Sequence, residues 1–461
     1  MSSPEAQAPQ GKLKQELNLL MLIFIMIGLN IGGALFTLTS AAAGLTGPSL
    51  FIAQIISALP ILLALIPYMV ITSAAPKTAA SYQYAKVFSY PLAVAAVMVL
   101  LVAMPLGGLP LFALSNAKYF MLLFPGAPEM APGVPISWVQ VVAIATVALF
   151  YIINIIGIKP AAYIEFIMTG ILLLALVLFI VPGLPAIKPE NFTPLFTGGA
   201  LGLVAAAALS YTLLAGGLFG IELGDEVKEA HSTIPKALVI SVFTAVILYI
   251  LIEIVAAGVV DHKTFARGNL STPAKVFLPG ALFGFFVIGG GLMACSTTIH
   301  AVMTISGRYA MKFAEDGFFP RFFTHVNKKY GTPHWGLTLP FVLSVVTILF
   351  VHNITVLGAM MNFGLLFMVS LVLLCAFKLP KTDPGLLAGS RYKFSPTLIR
   401  VTALSATILN IIFMILIVYI IFQQKMPWAF WLFVIAITAG LLLYFIRKRI
   451  GLVQKPASLI G

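Results

Sequence analysis

Long apolar runs without a charged residue are the feature that most constrains this chain. The run from Leu17 to Ala43 contains no Asp, Glu, Lys or Arg, and similar runs recur as far as residue 446. A helix needs about 20 apolar residues to cross a bilayer. Only 9% of the residues are charged and 61% are hydrophobic, whereas soluble domains carry about 25% charged residues. These figures exclude an ordinary soluble enzyme, a disordered chain and a secreted disulfide scaffold, and they predict an all-α integral membrane protein.

Charged and turn-forming residues divide the chain into twelve apolar segments, each predicted to cross the membrane as a helix. Their approximate bounds are 17–43, 48–74, 88–122, 136–157, 161–183, 200–222, 235–260, 280–308, 335–352, 354–377, 399–424 and 427–446. Polar tails are predicted at 1–16 and 447–461, and the first has no apolar core typical of a signal peptide. With the N-terminus inside, 21 of the 27 Lys and Arg residues fall on the cytoplasmic side. Because cytoplasmic loops are enriched in Lys and Arg, both termini are predicted to be cytoplasmic.

Two of the twelve segments are interrupted by glycine near their centres. The first contains Gly28-Leu29-Asn30-Ile31-Gly32-Gly33-Ala34, and the sixth contains Ala215-Gly216-Gly217. Glycine weakens a helix by about 1 kcal/mol relative to alanine, and non-helical backbone at membrane depth is tolerated where it lines a cavity or is buried in protein. Close packing through small residues is the alternative for either segment alone. Broken helices at matching places in two inverted halves are typical of secondary transporters. The sequence therefore predicts a first five-helix half at 17–183, a second at 200–377 and two further helices at 399–446.

The two breaks define the predicted substrate site. The first leaves the main-chain amides of Gly33, Ala34 and Leu35 at the start of a half-helix, where the amides and the helix dipole favour a carboxylate. Carbonyl groups released at 28–31 and 211–214 suit an ammonium group or a sodium ion. A valine at Gly33 is therefore expected to abolish uptake without unfolding the protein, and Phe36 and Tyr211, which flank the breaks, are predicted to be pocket walls or gates. The predicted substrate-binding residues are Gly28, Leu29, Ile31, Gly32, Gly33, Ala34, Leu35, Phe36, Tyr211, Leu214, Ala215, Gly216 and Gly217.

Several short motifs lie near the predicted helix ends. They are 31–36 (IGGALF), 47–48 (GP), 76–82 (PKTAASY), 154–159 (NIIGIK), 225–228 (DEVK) with 234–237 (IPKA), and 306–308 (SGR) with 314–320 (AEDGFFP) and 330–333 (YGTP). In order and position they resemble those of the amino acid–polyamine–organocation (APC) transporters over almost the whole chain. The resemblance implies a leucine-transporter-like fold of two inverted five-helix repeats plus two C-terminal helices, with helices 1 and 6 broken. It also implies amino acids or related amines as substrates, and alternating access to a site at the membrane midplane.

The chain departs from the family pattern at positions that affect specificity. Ala34 replaces the second glycine of the first-helix motif and adds a methyl group to the expected carboxylate site. Leu218 and Val70 stand where many relatives carry a glutamate. The loss of the acid at Leu218 argues against a dibasic amino acid, since a second cation needs a counter-charge. An amine held by carbonyl groups and aromatic rings stays open.

Polar and ionisable residues inside the predicted helices are the candidates for ion coupling. Hard cations prefer oxygen ligands, so the hydroxyls of Thr297 and Thr298 with the carbonyls of Gly28 and Ile31 form a candidate sodium site. The alternative is that Ser and Thr bond to their own helix. An ionisable residue within the membrane is a functional candidate by default, and histidine titrates near neutrality. The coupling candidates, for Na+ or H+, are Ser296, Thr297, Thr298, His300 and Glu253.

Other acidic residues receive structural interpretations. Glu165 lies near the cytoplasmic end of the fifth segment and is predicted to be interfacial. The acidic cluster from Glu222 to Glu229 is predicted to form a solvated network, or a gate with Arg308 or Lys312.

These observations predict a secondary active transporter of a small, neutral amino acid in the cell membrane. An amine or polyamine permease or exchanger of the same superfamily is the alternative within the class, and a channel is the alternative outside it. The sequence contains no HExxH, no GxSxG with His and Asp partners and no P-loop, so neither an enzyme nor an ATP-driven pump is predicted. No cofactor, no metal other than sodium and no nucleic-acid partner are expected. The expected partners are the small-molecule substrate and the lipid bilayer.

Overall fold

The computed structural model describes residues 15, 17–126, 128–131, 135–156, 158–327 and 329–451, without the side chains of 157–162. This part of the chain is helical and contains no β-strand beyond three isolated backbone bridges. Its α-helices are α1 (Leu19–Asn30), α2 (Gly33–Thr46), α3 (Leu50–Ala74), α4 (Ala80–Phe88), α5 (Tyr90–Val102), α6 (Leu109–Met121), α7 (Trp138–Ile156), α8 (Ile158–Gly183), α9 (Gly199–Ala215), α10 (Ala230–Val259), α11 (His262–Arg267), α12 (Ser271–Phe277), α13 (Gly280–Phe285), α14 (Met293–Glu315), α15 (His334–Phe350), α16 (Ile354–Thr382), α17 (Pro384–Gly389), α18 (Pro396–Gln423) and α19 (Trp428–Arg449).

Within the described residues, ten helical stretches are long and apolar enough to cross a membrane. The first, Leu19–Ala74, includes α1, α2 and α3, and the chain turns within it at Gly47. Gly47 has a φ of +77°, and a Cβ there would lie 1.8 Å from Oγ1 of Thr197, so glycine is needed at this turn. Helix α15 is also apolar but has only 17 residues. The chain is therefore a multi-pass membrane protein of all-α fold.

The helices differ in how much of their apolar surface is buried, which separates the centre of the bundle from its periphery. In the most apolar 18-residue stretch of α16, 83% of the residues are buried, and in those of Leu19–Ala74 and Gly199–Glu222 the share is 72%. In the corresponding stretches of α7 and α19, only 28% of the residues are buried. Large apolar side chains exposed on the peripheral helices, such as Phe350 and Trp431, suit contact with lipid. The two glycine-interrupted segments therefore lie in the centre of the bundle.

Two of the long helices widen into a π-helical turn. Residues Ala103–Gly108 form one between α5 and α6, and Phe286–Leu292 form another between α13 and α14. Both turns contain closely packed glycines. A Cβ on Gly107 would lie 3.0 Å from the Leu357 carbonyl oxygen, and a Cβ on Gly290 would lie 2.9 Å from Cζ of Phe36. Such turns occur frequently at functional sites, and these two flank the centre from opposite halves of the chain.

Main-chain hydrogen bonds join three chain segments at one end of the bundle. We call it the basic end because Lys77, Lys228 and Arg308 lie there. The Leu17 amide donates to the Glu226 carbonyl at 3.0 Å, and the Lys228 amide donates to the Leu17 carbonyl at 2.8 Å. The Ala79 amide donates to the Glu222 carbonyl at 3.2 Å. The start of α1, the start of α4 and the segment after α9 are thereby held together.

Candidate substrate-binding site

The first predicted break is a two-residue interruption between α1 and α2. Helix α1 ends at Asn30, and α2 begins at Gly33. Ile31 has φ −86° and ψ 60°, and Gly32 has φ −105° and ψ −158°, so both leave the helical region without entering the left-handed one. Four amides at the start of a helix and four carbonyls at its end lack partners within it. The interruption therefore places such groups in the middle of the bundle.

The second predicted break is a change of helix type. Helix α9 ends at Ala215, and the chain continues as a 3-10 helix over Gly216–Glu222. A 3-10 helix is tighter than an α-helix, and long runs of it often mark a functional hinge or strain. The segment after the glycines is therefore wound differently from α9, although it is not extended.

The two breaks touch each other through their main chains. A Cβ on Gly216 would lie 2.0 Å from the Leu29 carbonyl oxygen, so this contact requires glycine. One residue further on, the amide of Gly217 donates to Oδ1 of Asn30 at 2.6 Å. The Asn30 side chain thus caps the first turn of the 3-10 helix and fixes the distance between the breaks.

Tyr249 of α10 bridges carbonyl groups from both breaks. Its hydroxyl donates to the carbonyl oxygen of Asn30 and lies 3.0 Å from that of Leu213. Neither Tyr249 nor the Asn30 side chain was among the predicted site residues. An asparagine in the middle of an apolar span must find a partner when buried, and this signal could have identified Asn30. Tyr249 carries no such signal, because tyrosine is common in apolar spans.

Two of the three amides predicted to hold a carboxylate have partners within the protein. The Gly33 amide donates to Oγ1 of Thr298 at 2.9 Å, and that hydroxyl donates in turn to the Ala294 carbonyl at 3.0 Å. The Leu35 amide donates to the Gly32 carbonyl at 3.2 Å. A carboxylate at the start of α2 would have to replace the Thr298 hydroxyl on Gly33.

A cavity of about 20 Å³ lies between the two breaks, with room for roughly one water molecule. None of its lining residues is charged, and the hydroxyls of Thr212 and Thr298 are its polar side-chain groups. It is lined by Leu29, Gly32, Ala34, Met104, Phe112, Thr212, Gly216, Phe219, Thr298, Val302, Ile305, Met361 and Leu365. An amino acid is much larger than this space, so the lining must separate before one can enter.

The lining includes some of the predicted residues and omits others. Leu29, Gly32, Ala34 and Gly216 line the cavity, and the other predicted substrate-binding residues do not. The lining from Met104, Phe112, Phe219 and the helices α14 and α16 was not predicted. Met361 and Leu365 lie on α16, which is apolar over most of its surface, so no periodicity marks its inward face.

The two aromatic residues predicted to be pocket walls or gates do not line this cavity. Phe36 packs against Tyr119, with ring centroids 5.6 Å apart, and Tyr211 packs against Phe413 of α18, with centroids 6.1 Å apart. Helical geometry gives the reason, since each residue turns the chain by about 100°. Phe36 is two residues from Ala34, so it faces the opposite side of α2, and Tyr211 precedes Thr212, which lines the cavity.

The hydroxyls of the candidate sodium site are bonded within the protein. Thr297 donates to the Ala294 carbonyl at 2.9 Å, as Thr298 does, and Ser296 accepts from Asn116 Nδ2 at 3.1 Å. Both threonines therefore bond to their own helix, as the alternative interpretation holds. Among the described residues, no group of three or more His, Cys, Asp and Glu could hold a metal ion.

The ionisable coupling candidates lie at two separate places. Glu253 is fully buried on α10, one turn beyond Tyr249, and neither carboxyl oxygen has a partner among the described residues. His300 pairs with Glu165 of α8, with 3.2 Å between Nδ1 and Oε2. The prediction that Glu165 is interfacial is wrong, because its carboxyl is buried against Gly28 of α1.

Among the described residues, the acidic cluster at the basic end makes one buried ion pair, between Arg308 and Glu226. Arg308 contacts Oε1 of Glu226 through Nη2 at 2.7 Å and Nε at 2.9 Å, whereas Lys312 pairs with Glu315. Of the two cations proposed for a gate, Arg308 is thus the one that joins the cluster. Nearby, Asp316 accepts from Lys86 at 2.7 Å and from the Tyr82 hydroxyl at 2.7 Å. Burial and the Asp316 carboxylate raise the pKa of Tyr82, so its hydroxyl acts as a donor.

Comparison with known proteins identifies the family of this membrane protein. The family model described as "Amino acid permease" matches residues 17–442, which include both breaks and the cavity lining. The chain belongs to the amino acid permease family. This places it in the APC superfamily, as its motifs indicated, and its members are transporters rather than enzymes.

Several characterised permeases are similar to this chain over much of its length. The methylthioribose transporter of Bacillus subtilis (strain 168) is 25% identical over 454 residues, which cover 96% of this chain and 95% of that protein. The branched-chain amino acid permease BcaP of the same organism is 26% identical, over 71% of this chain and 73% of its own. The aspartate-proton symporter of that organism is 24% identical, over 73% of this chain and 67% of its own.

Proposed function

We propose that this permease is a secondary active transporter of a small neutral amino acid with an apolar side chain, working by alternating access in the cell membrane. The observation that carries the proposal is the uncharged cavity between two helix interruptions whose main chains touch. Opposite dipole ends meet there, and no charged side chain lines the cavity. Such a site suits a zwitterion, which needs a donor group and an acceptor group close together.

We also propose that the chain crosses the membrane twelve times, as two inverted five-helix repeats and two further helices. The ten long stretches become twelve when Leu19–Ala74 is divided at Gly47 and α15 is included. The repeat is supported by two matched pairs of irregularities. Breaks occur in the first and sixth spans, and π-helical turns occur in the third and eighth. The excess of Lys and Arg supports a cytoplasmic location for both termini.

In the proposed binding mode, the carboxylate lies at the amide end of α2 and the amine at the carbonyl ends of α1 and α9. The carboxylate would replace the Thr298 hydroxyl on the Gly33 amide, and the ammonium group would replace the Tyr249 hydroxyl on the Asn30 carbonyl. The apolar side chain would occupy the part lined by Met104 and Met361. Because the lining holds no carboxylate, a polyamine or dibasic amino acid would leave a buried cation unpaired, at a high energetic cost.

A second candidate substrate follows from the similarity to the methylthioribose transporter. The methylthioribose transporter aligns with 96% of this chain, and the two methionines of the lining suit a thioether group, since sulfur contacts are adaptable. Methylthioribose therefore belongs in the same test as the neutral amino acids.

The test is a thermal-shift screen of the purified protein, followed by counterflow in liposomes. Leucine, valine and methionine are expected to raise the melting temperature, whereas their decarboxylated amines, their esters and polyamines are not. Stabilisation by the amines alone would contradict carboxylate recognition and support an amine permease. Stabilisation by methylthioribose and no amino acid would select the second candidate. Flux that neither saturates nor is stimulated by substrate on the opposite side would indicate a channel.

A further inference from the structure

A buried acid–base pair joins α8 and α14 beside the first break. Nδ1 of His300 lies 3.2 Å from Oε2 of Glu165, and the two residues are 8% and 1% exposed. Ionisable residues within a membrane are costly, and those that persist commonly mark ion or proton pathways. The pair is therefore a candidate for function as well as for packing.

The pair is only partly satisfied by hydrogen bonds. Among the described residues, Oε1 of Glu165, Nε2 of His300 and Oγ1 of Thr169 have no hydrogen-bond partner. Leaving a buried donor or acceptor unpaired costs about 1–3 kcal/mol, and more for a charged group. Unpaired atoms on both members of an acid–base pair leave each member a place to take up another proton.

The unpaired carboxyl oxygen lies against the broken helix. Oε1 of Glu165 and Oγ1 of Thr169 lie 2.3 Å and 2.8 Å from the point that a Cβ on Gly28 would occupy. Gly28 is two residues before the end of α1. The Glu165 carboxyl group thus lies directly against the helix that is interrupted at the substrate site.

Among the described residues, no other titratable group on the elements around the pair is hydrogen-bonded to Glu165 or His300. Helix α1 carries none, and on α14 Arg308 is paired with Glu226. Tyr151 of α7 bonds to Thr338, and Tyr249 of α10 bonds to the broken-helix carbonyls. The remaining titratable residues on elements packed against α8 or α14 are Glu253, Lys236 and His231 on α10, Lys275 on α12, Cys295, Tyr309, Lys312 and Glu315 on α14, Tyr90 on α5, Lys118 and Tyr119 on α6, His334 on α15, Arg321 on the 3-10 helix Arg321–Thr324, and Tyr163 and Lys159 on α8, the last with an undescribed side chain. None of those described is hydrogen-bonded to Glu165 or His300.

We propose that Glu165 and His300 form the proton-binding site that couples transport to the proton gradient. This inference rests on the proposed transport of a neutral substrate. With one proton the pair is a hydrogen-bonded carboxylate and imidazolium, or the neutral equivalent. A second proton, taken from one side of the membrane, binds Oε1 of Glu165 and gives a neutral carboxyl beside an imidazolium. The new O–H donates to Thr169 or to the main chain near Gly28. The same proton leaves to the other side after reorientation, so one proton crosses with each substrate.

The experiment uses the full-length protein in liposomes, with the substrate found by the thermal-shift screen. Potassium and valinomycin hold the membrane potential at zero, and pH and sodium gradients are imposed separately. A gradient of one pH unit with one coupled proton corresponds to about tenfold accumulation of a neutral substrate. We expect that value for the wild type. For Glu165→Gln and His300→Gln we expect no accumulation above equilibrium but continued counterflow.

The matched control is Glu315→Gln, which neutralises a carboxylate of the Lys312–Glu315 pair on α14 and is expected to retain tenfold accumulation. Infrared difference spectra provide a readout that does not depend on flux. A protonated carboxyl band should appear on acidification of the wild type and be missing in Glu165→Gln. Accumulation by Glu165→Gln equal to the wild type, an unchanged carboxyl band, or accumulation driven by sodium alone would each overturn the inference. Absence of wild-type counterflow for every screened compound would instead refute the proposed function.

Discussion

Replacing Gly216 by alanine tests the contact between the two breaks most directly. Gly216 has φ −53° and ψ −43°, which any residue adopts, so backbone conformation does not require glycine. Space does, because the added Cβ would lie 2.0 Å from the Leu29 carbonyl oxygen and 2.8 Å from its carbon. Real Cβ contacts of this kind are longer than about 3 Å, so α1 and the 3-10 helix must separate by roughly 1 Å or more.

The expected cost can be set against a gain that any glycine-to-alanine change brings. Overpacking a tight contact costs about 1–3 kcal/mol, and removing a helical glycine recovers about 0.5–1 kcal/mol. The net destabilisation is therefore about 0–2.5 kcal/mol, and the mid-range value of about 1.3 kcal/mol corresponds to a factor of about 10 in an equilibrium. The cost falls on conformations in which the breaks touch. If the bound state keeps this contact and the cavity opens elsewhere along its lining, substrate affinity should fall by the same factor.

The assay compares Gly216→Ala with Gly284→Ala, in which the new Cβ has nothing within 4 Å and also lies in a helix. Unfolding in a detergent titration and substrate binding by thermal shift are measured for both. We expect Gly216→Ala to lose stability and to bind substrate about 10-fold more weakly, and Gly284→Ala to be unchanged or slightly stabilised. If the two variants behave alike, the breaks are not in the contact described here.

Three further substitutions test the groups around the breaks. Tyr249→Phe removes the hydroxyl shared by two buried carbonyls; we expect the substrate-free protein to lose about 1–3 kcal/mol of stability while substrate-induced stabilisation grows, and an unchanged substrate effect would show that the amine does not use these carbonyls. Gly33→Ala places a Cβ 2.6 Å from Cδ1 of Phe112; we expect uptake to fall with less structural damage than valine would cause, and normal uptake would exclude a carboxylate site at the start of α2. Arg308→Gln breaks the buried pair with Glu226; we expect a cysteine placed at the basic end to react faster with a water-soluble thiol reagent, whereas an unchanged rate would exclude a gate there.

The positions of the long helices could be predicted from the sequence because charges and turn residues delimit them. The segments predicted at 88–122 and 136–157 correspond to Tyr90–Met121 and Trp138–Ile156. The glycines also indicated where both breaks lie, because glycine is costly in a helix unless tight packing or an interruption requires it. The short helices α4, α11 and α12 were not predicted, because they are too brief and too polar to stand out against loops.

The sequence could not show which face of each helix points inward. Soluble helices reveal their buried face by a polar opposite face, but a helix between lipid and protein is apolar on both. Glu165 illustrates the consequence. Its sequence position near a helix end suggested an interface, whereas the packing of α8 on α1 and α14 buries it beside His300. A carboxylate inside an apolar run was the available signal, and its partner could be found only from the fold.

The hydrogen bonds around the breaks suggest how the site distinguishes a zwitterion from related compounds that lack its carboxylate. In this conformation the Thr298 hydroxyl accepts from the Gly33 amide, and the Tyr249 hydroxyl donates to the Asn30 carbonyl. A substrate must therefore exchange one hydrogen bond for another at each end, and a neutral group gains little by the exchange. Hydrogen bonds to charged groups are roughly twice as strong as neutral ones, so a carboxylate and an ammonium group can displace the two hydroxyls where an ester or a decarboxylated amine cannot displace both. We therefore expect selectivity to come from this competition with the protein's own hydroxyls as well as from the shape of the cavity.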